Sequence, residues 1–243
     1  MIRETRTYQR INRAMGKAIH QYDMIQDGDR IALGLSGGKD SLTLLAMLVD
    51  RLRRIPVTYT IHPIYIDPGF DGSFSEELAA YCQGLGLTLT CEMTDHGPEA
   101  HRDEQTANPC FLCSRQRRKR LFELTSELGC RTLALGHNKD DMIETLLINI
   151  FYSGQISTMM PHQPMFDGEV TVIRPLYQAE EGDILHFASE QELPVFTNPC
   201  PSATTSKRSE IRDLLKSLYK TNPHIKGNIF RSLSHVRLDY LLT

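Results

Sequence analysis

The sequence predicts an α/β fold: a Rossmann-like parallel sheet of about five strands with helices on both faces. Short β-branched or apolar runs alternate along the chain with longer segments of helical spacing, a pattern typical of parallel sheets with crossover helices. The first apolar run ends in glycines directly before a helix, as ligand-binding loops of such sheets do. A helix before the sheet and a small helical extension after it complete the expected architecture.

The first half of the chain predicts three strands separated by helices. It opens with an amphipathic helix that ends before the Asp-Gly-Asp turn at 27–29. The elements that follow are a strand at 30–35, a helix at 41–54, a strand at 58–67, a helix at 73–86 and a strand at 87–93. Ser73 and Glu76 have the spacing of a capping box, which would fix the start of the helix at 73–86.

The second half continues the alternation after a polar loop. It predicts a helix through about residue 128, strands at 131–136 and 170–176, helices at 139–152 and 180–192, and a short strand at 193–196. From Asn198 the chain becomes polar, then helical and basic. We therefore expect a basic N-terminal helix at 1–27, the main domain at 28–198 and a basic helical segment at 199–243.

Bulk composition predicts a globular protein of the cytoplasm. The 243 residues are 40% hydrophobic and 23% charged, enough to bury a sizeable core. The N-terminal stretch has no apolar centre typical of a signal peptide, and no run is long enough to span a membrane. In the cytoplasm, closely spaced cysteines indicate metal binding or catalysis before disulfides.

The net charge of −3 conceals three basic segments. They cover residues 1–20, 115–120 and 205–243, around an acidic middle. This asymmetry favours a polyanionic partner such as a nucleic acid. Solvated helix faces are the alternative for each single segment.

The glycine loop between the first strand and the next helix has the chemistry of an oxyanion site. Its residues are Ser36, Gly37, Gly38, Lys39, Asp40 and Ser41. Gly37 and Gly38 let backbone N–H groups approach an anion, and the helix start directs its positive dipole end there. Lys39 adds charge, and Asp40 can hold Mg²⁺ or orient a nucleotide. A turn that merely joins strand to helix is the alternative.

Ser-Gly-Gly-x-Asp-Ser after a first strand resembles the signature of the PP-loop ATP pyrophosphatases, which cleave ATP between its α- and β-phosphates. The strand "IYID" ends in Asp67, where that family lines the adenosine pocket, and "GHNKDDMIET" resembles the family's second signature. The resemblance implies activation of a substrate by AMP, with Gly136 and His137 beside ATP and with Mg²⁺ near Asp40 and Asp141. It also implies that His137, Asp140 and Asp141 bind Mg²⁺ or steer the activated base. Two aspartates at a helix start are otherwise typical caps, like Asp140 and Asp141 here.

Three of the six cysteines suggest a metal centre. Cys110-x-x-Cys113 lies in a loop that opens onto a helix, and Cys200 follows a proline in a later loop. A structural zinc site usually needs a fourth ligand, whereas three thiolates suit a 4Fe–4S cluster with one open iron. The remaining cysteines, with apolar neighbours, are predicted core thiols: Cys82, Cys91 and Cys130.

The PP-loop together with Cys-x-x-Cys-Ser-x-x-Arg-Arg and a late cysteine resembles the tRNA 2-thiocytidine synthetase branch, from about residue 10 to about 215. This implies that Cys110, Cys113 and Cys200 bind the iron–sulfur cluster and that Arg117 stabilises charge on the phosphate. The implied reaction adenylates the C2 oxygen of a pyrimidine, cytidine in that branch, and replaces it with sulfur. The implied partners are tRNA, a sulfur donor (a cysteine desulfurase or free sulfide) and a second copy of the chain, with no membrane.

One departure keeps two alternatives open. The branch commonly has a second Cys-x-x-Cys where this chain has Cys200-Pro-Ser-Ala203. One alternative is a PP-loop sulfurtransferase or desulfidase that acts on another acceptor or tRNA position. The other is a zinc-binding RNA-interaction module with a degenerate nucleotide loop, which the intact SGGKDS disfavours.

The basic run beside the cysteine pair predicts two helix faces. Arg117 and Arg120 share one face by their spacing, and Arg115, Arg118 and Lys119 share another. One face would turn to a phosphate in the site and the other to RNA or solvent. The helix start and the nearby cations are also expected to lower the pKa of the thiols.

Overall fold

A computed structural model describes residues 2–102, 109–197, 200 and 207–242. The strands are β1 (Asp29–Leu35), β2 (Tyr59–Asp67), β3 (Thr90–Met93), β4 (Thr132–Ala134), β5 (His162–Met165) and β6 (Val170–Ile173). The helices before β4 are α1 (Arg6–Gln21), α2 (Lys39–Arg51), α3 (Ser75–Gly84), α4 (His96–His101) and α5 (Pro109–Glu127). Those after it are α6 (Lys139–Ser153), α7 (Glu181–Glu190), α8 (Lys207–Thr221) and α9 (Ile225–Ser232).

The sheet confirms the predicted α/β class, but the number of strands and the direction of one of them differ from the prediction. Within the described residues, six strands are arranged in the order β3-β2-β1-β4-β6-β5, and only β5 is antiparallel to its neighbour. The sequence prediction missed β5 because its residues, His-Gln-Pro-Met, lack the β-branched character of a strand. The strand predicted at 193–196 does not form; these residues have no regular structure.

Helices cover both faces of the sheet. Along β1, Ile31, Leu33 and Leu35 enter a core shared with α1, α2 and α7, whereas Ala32 points into a second core under α5. Burial on both faces explains why the central strands are nearly continuous apolar runs. Among the described residues, none of the helices combines the length and the apolar character that a membrane crossing requires.

Both terminal segments pack against the main domain. Tyr8, Ile11 and Met15 of α1 are buried in the same core as α2. Ile211 of α8 packs on Ile143 of α6, which begins at the carboxyl end of β4. The predicted boundary at 198/199 lies outside the described residues, so the three-part division stays a prediction.

The start of α3 differs from the predicted capping box. The N-cap residue is Phe74, which has no side-chain cap. The hydroxyl of Ser73 instead donates a 2.5 Å hydrogen bond to Asp67 at the end of β2. Ser73 therefore shapes the loop after β2 rather than the helix after it.

Candidate active site

The glycine loop lies between β1 and α2 and is braced by its two serines. The hydroxyl oxygens of Ser36 and Ser41 are 3.2 Å apart, and that of Ser41 donates to the carbonyl of Gly38 at 3.0 Å. Gly38 is the N-cap of α2 and supplies no side-chain cap. The N-cap residue therefore leaves the first N–H groups of α2 without a side-chain cap, and their binding of an anion stays a prediction.

Gly37 is held in a conformation that only glycine adopts easily. Its φ is +75°, and a Cβ there would lie 2.4 Å from the ring of Phe74. Phe74 in turn stacks on Phe196 with ring centroids 4.6 Å apart. The backbone N–H of Phe196 donates to the carbonyl of Gly37 at 3.0 Å. The segment that leads to Cys200 is therefore anchored on the glycine loop.

The two predicted signatures touch through Gly136. A Cβ at this position would lie 2.9 Å from the carbonyl carbon and oxygen of Asp40 and from the amide nitrogen of Ser41. Asn138 adds a second link, because its amide donates to a carboxylate oxygen of Asp40 at 2.8 Å. The loop after β4 and the first turn of α2 thus form one surface at the carboxyl ends of the parallel strands.

Lys39 lies between two carboxylates. Its ammonium is 3.0 Å from Asp40 and 3.0 Å from Glu181 at the start of α7. Burial disfavours the charged form, but the two carboxylates outweigh it and raise the pKa of Lys39. A cation is therefore fixed beside the glycine loop.

Asp140 and Asp141 act as structural residues in the second signature. Asp141 completes a capping box by accepting from the backbone N–H of Asn138 at 2.9 Å. Asp140 accepts from the backbone of Glu181 and pairs with Lys226 of α9 at 2.7 Å. Asp141 thus caps α6, as expected for an aspartate at a helix start.

Asp141 also keeps a carboxylate oxygen toward the site. That oxygen is 3.6 Å from Arg208 of α8. Burial raises the pKa of Asp141 to about 6, the Asn138 N–H and Arg208 oppose the rise, and Asp40 and Glu144 add to it. Asp40 and Asp141 are therefore near enough to repel each other electrostatically, and their binding of a shared Mg²⁺ stays a prediction.

His137 is a neutral hydrogen-bonding group. The Nε of Arg174 donates to its Nδ1 at 3.3 Å, so the ring proton lies on Nε2. Burial, and then the charges of Arg174, Arg208 and Arg118, lower the pKa of His137 to about 3. The imidazole is therefore a donor at physiological pH and a poor ligand for Mg²⁺, which prefers oxygen.

We expect the ring resonances of His137 to stay at neutral-imidazole positions in an NMR titration from pH 8 to pH 5. Replacing Arg174 with methionine should raise the pKa of His137 by about one unit or more, because a donor to Nδ1 and a nearby charge are lost. A midpoint above pH 5 in the unaltered protein would contradict the assignment.

Unfolding measurements do not isolate this effect. The pKa of His137 is lowered, so this residue reduces the free energy of unfolding as the pH falls below 6.5. The pKa of Asp141 is raised, so this residue increases the free energy of unfolding as the pH falls below about 6. Because the contributions of His137 and Asp141 to the free energy of unfolding have opposite signs, the pH dependence of stability does not report the pKa of His137. The ring resonances of His137 report it directly.

Asp67 is fully buried at the end of β2, and both carboxylate oxygens have donors. One accepts from the backbone N–H of Gly69 at 2.8 Å and the other from the hydroxyl of Ser73 at 2.5 Å. These bonds fix the loop that carries Phe74 over Gly37. The predicted contact of Asp67 with adenosine stays a prediction.

The cysteine pair lies in the first turn of α5, not in a loop before it. Proline at the first helical position, Pro109, favours this start. The thiol of Cys113 is buried and interacts electrostatically with those of Cys110 and Cys200. The fold therefore brings Cys200, which is distant in sequence, near the Cys110/Cys113 pair.

Three cysteine thiolates are a soft donor set that suits an iron–sulfur cluster, in which each thiolate binds a different iron. The Nε of Arg117, one turn from Cys113, is buried without a hydrogen-bond partner and is left for a bound group.

The expected lowering of the thiol pKa is wrong for Cys113. Burial raises its pKa, and the thiols of Cys200 and Cys110 add to the rise. The Arg117 guanidinium opposes it through its charge and a hydrogen bond.

The arginines of the basic run on α5 do not follow the two helix faces that their spacing predicted. Arg117 interacts with Cys113 and with Tyr65 of β2, inside the site. Arg120 is occupied by three carboxylates, with contacts of 2.6 Å to Glu92, 3.0 Å to Glu123 and 2.8 Å to Glu127. The charge of Arg118 acts on His137 and Arg174 and lowers the pKa of both. Arg117 and Arg120 thus have unrelated environments despite their spacing.

The other cysteines are partly as predicted. Cys82 and Cys130 are buried, which confirms them as core thiols. Cys91 is exposed on the edge strand β3, so the core prediction is wrong there.

A sequence profile of the PP-loop domain matches residues 6–218. The chain belongs to the PP-loop family. Two relatives named tRNA-cytidine(32) 2-sulfurtransferase are 41% identical to it. The alignment with the Geobacter sulfurreducens protein covers 97% of this chain and 93% of that protein. The alignment with the Geotalea daltonii protein covers 98% of this chain and 96% of that protein.

Solved structures agree with the family assignment. The U34-tRNA thiolase NcsA of Methanococcus maripaludis, solved with its 4Fe–4S cluster, has a TM-score of 0.77 and 28% identity, over 97% of this chain and 81% of that one. An NH₃-dependent NAD synthetase from Campylobacter jejuni has a TM-score of 0.52 at 14% identity and covers 98% of this chain and 100% of that one; it shows a shared fold alone.

Several site residues of this PP-loop protein were missed by sequence reasoning. They are Asn138, Arg174, Glu181, Arg208 and Lys226, which contact the predicted residues through hydrogen bonds or ion pairs. Asn138 lies inside the second signature, so its capping position was the one available signal. The other four come from distant elements and act only through tertiary contacts.

Proposed function

We propose that this PP-loop protein is an ATP-dependent, iron–sulfur-dependent tRNA thiolase that converts cytidine to 2-thiocytidine. The observation that carries the proposal is the junction of the glycine loop with the three cysteines. Phe196 anchors the segment before Cys200 on Gly37, and Arg117 links Cys113 to Tyr65 at the end of the nucleotide site. The names of the relatives at 41% identity support the choice of acceptor.

ATP is the nucleotide substrate in this proposal. The N–H groups of the glycine loop and the start of α2 hold its β- and γ-phosphates, and Lys39 adds positive charge. Asp40 and Asp141 hold Mg²⁺ together with phosphate oxygens, since Mg²⁺ commonly binds through one or two carboxylates and substrate phosphates. Asp67, Gly136 and His137 line the remainder of the nucleotide site.

The cysteines would hold the resident cofactor. Cys110, Cys113 and Cys200 would ligate a 4Fe–4S cluster, which with three protein ligands has one iron open to inorganic sulfur. The Nε of Arg117 is buried without a hydrogen-bond partner, and its guanidinium interacts with Cys113.

The reaction proceeds by two substitutions. The C2 oxygen of the pyrimidine attacks the α-phosphorus, the bond between the α-phosphorus and the β-bridging oxygen breaks, and pyrophosphate leaves. Sulfide then attacks C2, the bond from C2 to the AMP-bearing oxygen breaks, and AMP leaves. Arg117 stabilises the charge that develops on the α-phosphate, since a preorganised cation is effective where charge forms.

The remaining partners belong to the same proposal. They are a sulfur donor, either a cysteine desulfurase or free sulfide, and a second copy of the chain. The proposed location is the cytoplasm, where tRNA and ATP are available.

We expect the anaerobically purified protein to be coloured and to form 2-thiocytidine when it is given ATP, Mg²⁺, sulfide and unmodified tRNA. Deleting the gene should remove 2-thiocytidine from cellular tRNA, as measured by nucleoside mass spectrometry. An unchanged thionucleoside profile would mean that another acceptor is used. A colourless protein with stoichiometric zinc and no iron would favour the RNA-interaction module instead.

A further inference from the structure

Two arginines near His137 have no role in the reaction described above. Arg174 follows β6 and Arg118 lies on α5. Together with His137, which also borders the proposed nucleotide site, they form a cationic site at the carboxyl ends of β4 and β6. Arg174 is 7% exposed, and its Nη1 donates to the carbonyl of Met160 at 2.5 Å and to the side chain of Gln163 at 3.2 Å. Its position is therefore fixed.

The cationic site lacks a counterion within the described residues. Neither Arg118 nor Arg174 pairs there with a carboxylate, although Arg120 contacts three and Arg212 contacts Glu144 at 2.8 Å. Burial, and then the charge of Arg118, lower the pKa of Arg174 to about 10. A buried cation that faces a second cation is costly unless an anion joins them.

His137 adds a neutral donor to the two cations. Its Nδ1 accepts from Arg174, so the proton on Nε2 is free to donate, and Nε2 forms no hydrogen bond to a described residue. Two guanidinium groups and one N–H donor match the several acceptor oxygens of a phosphate group.

The surroundings favour a phosphate of the RNA over one of ATP. In the proposed function, the glycine loop and α2 already supply donors for the nucleotide phosphates. Arg118 is exposed on the outer surface of α5, where Arg115 one turn earlier is also exposed and has no carboxylate partner among the described residues. The cationic site thus continues outward as a basic surface, which suits a polymer backbone.

We propose that Arg118, Arg174 and His137 bind a backbone phosphate of the RNA beside the target nucleotide. This inference rests on the proposed function. Arg118 is then a positioning residue, because it holds the RNA backbone while other groups act on the base.

The test compares Arg118→Gln with Lys119→Gln in the cluster-loaded full chain. Both changes remove one positive charge from adjacent positions of α5, but Lys119 is 81% exposed and pairs only with Glu123 at 3.7 Å. Arg118→Gln should raise the Kd for an unmodified tRNA transcript about tenfold and reduce the slope of log Kd against log salt by about one. Lys119→Gln should change the Kd less than about twofold.

The Kd for α,β-methylene-ATP identifies the source of the phosphate. It should be the same for both variants and the unaltered protein. If Arg118→Gln weakens the ATP analogue and leaves tRNA binding unchanged, the site belongs to the nucleotide and the inference is wrong. If both variants bind tRNA equally, the cationic site holds no RNA phosphate. If the unaltered protein itself does not bind tRNA, it is the proposed function that fails.

Discussion

Replacing Cys113 with serine should remove the iron–sulfur cluster and reduce tRNA thiolation by at least about 100-fold. The thiol of Cys113 is buried and interacts with those of Cys110 and Cys200, so it lies at the centre of the three proposed ligands. A serine hydroxyl is a hard, protonated oxygen that cannot replace a soft thiolate on iron. Iron content per chain, the visible absorbance and 2-thiocytidine formation measure the effect.

Cys91→Ser is the matched control. Cys91 is exposed on β3 and makes no contact with the three proposed ligands in the interactions described above, so iron content and activity should not change. The nucleotide site should also survive in Cys113→Ser, because its phosphate-binding groups lie on β1 and α2. The Kd for an ATP analogue is expected to stay within about twofold of the unaltered value. A Cys113→Ser protein that keeps its iron would remove Cys113 from the ligand set.

The parts of the fold that sequence could predict are those that depend on local chemistry. Gly37 helped to identify the loop because glycine readily adopts the positive φ found there, and the central strands were evident because burial on both faces makes them apolar. β5 was missed because an edge strand needs no apolar face. The start of α5 was placed too late, since a proline before the cysteines is compatible with both a loop and a first helical turn.

The motifs predicted which residues lie at the carboxyl ends of the strands, but their spacing did not predict which of these residues contact one another. Arg120 and Arg118 belong to one basic run, yet one is occupied by three carboxylates and the other faces His137. Their difference depends on Glu92 of β3 and Arg174 after β6, and no spacing rule within α5 contains that information. Lys226, which holds Asp140 from α9, is another contact that only the tertiary fold creates.

Replacing Gly136 with alanine should reduce the rate of ATP-dependent adenylation about 100-fold while the protein remains folded. The added Cβ would lie 2.9 Å from backbone atoms of Asp40 and Ser41, which cannot rotate away as a side chain can. The first turn of α2 must therefore move away from the loop after β4. A displacement approaching 1 Å at a catalytic site can cost a factor of about 100 in rate.

The expected loss of stability in Gly136→Ala is too small to unfold the protein, so a loss of rate can be told apart from unfolding. Overpacking by one methyl group typically costs about 1–3 kcal/mol, against a total stability of about 5–15 kcal/mol for a domain. Gly84→Ala is the control, because a Cβ at the end of α3 meets nothing within 4 Å. Both variants should unfold cooperatively in urea, and only Gly136→Ala should lose kcat/KM for ATP. If Gly136→Ala keeps a rate within about threefold of the unaltered protein, the contact between the two signatures does not set the geometry of the nucleotide site. A loss confined to the folded Gly136→Ala protein would instead show that this backbone contact positions Asp40 for the reaction.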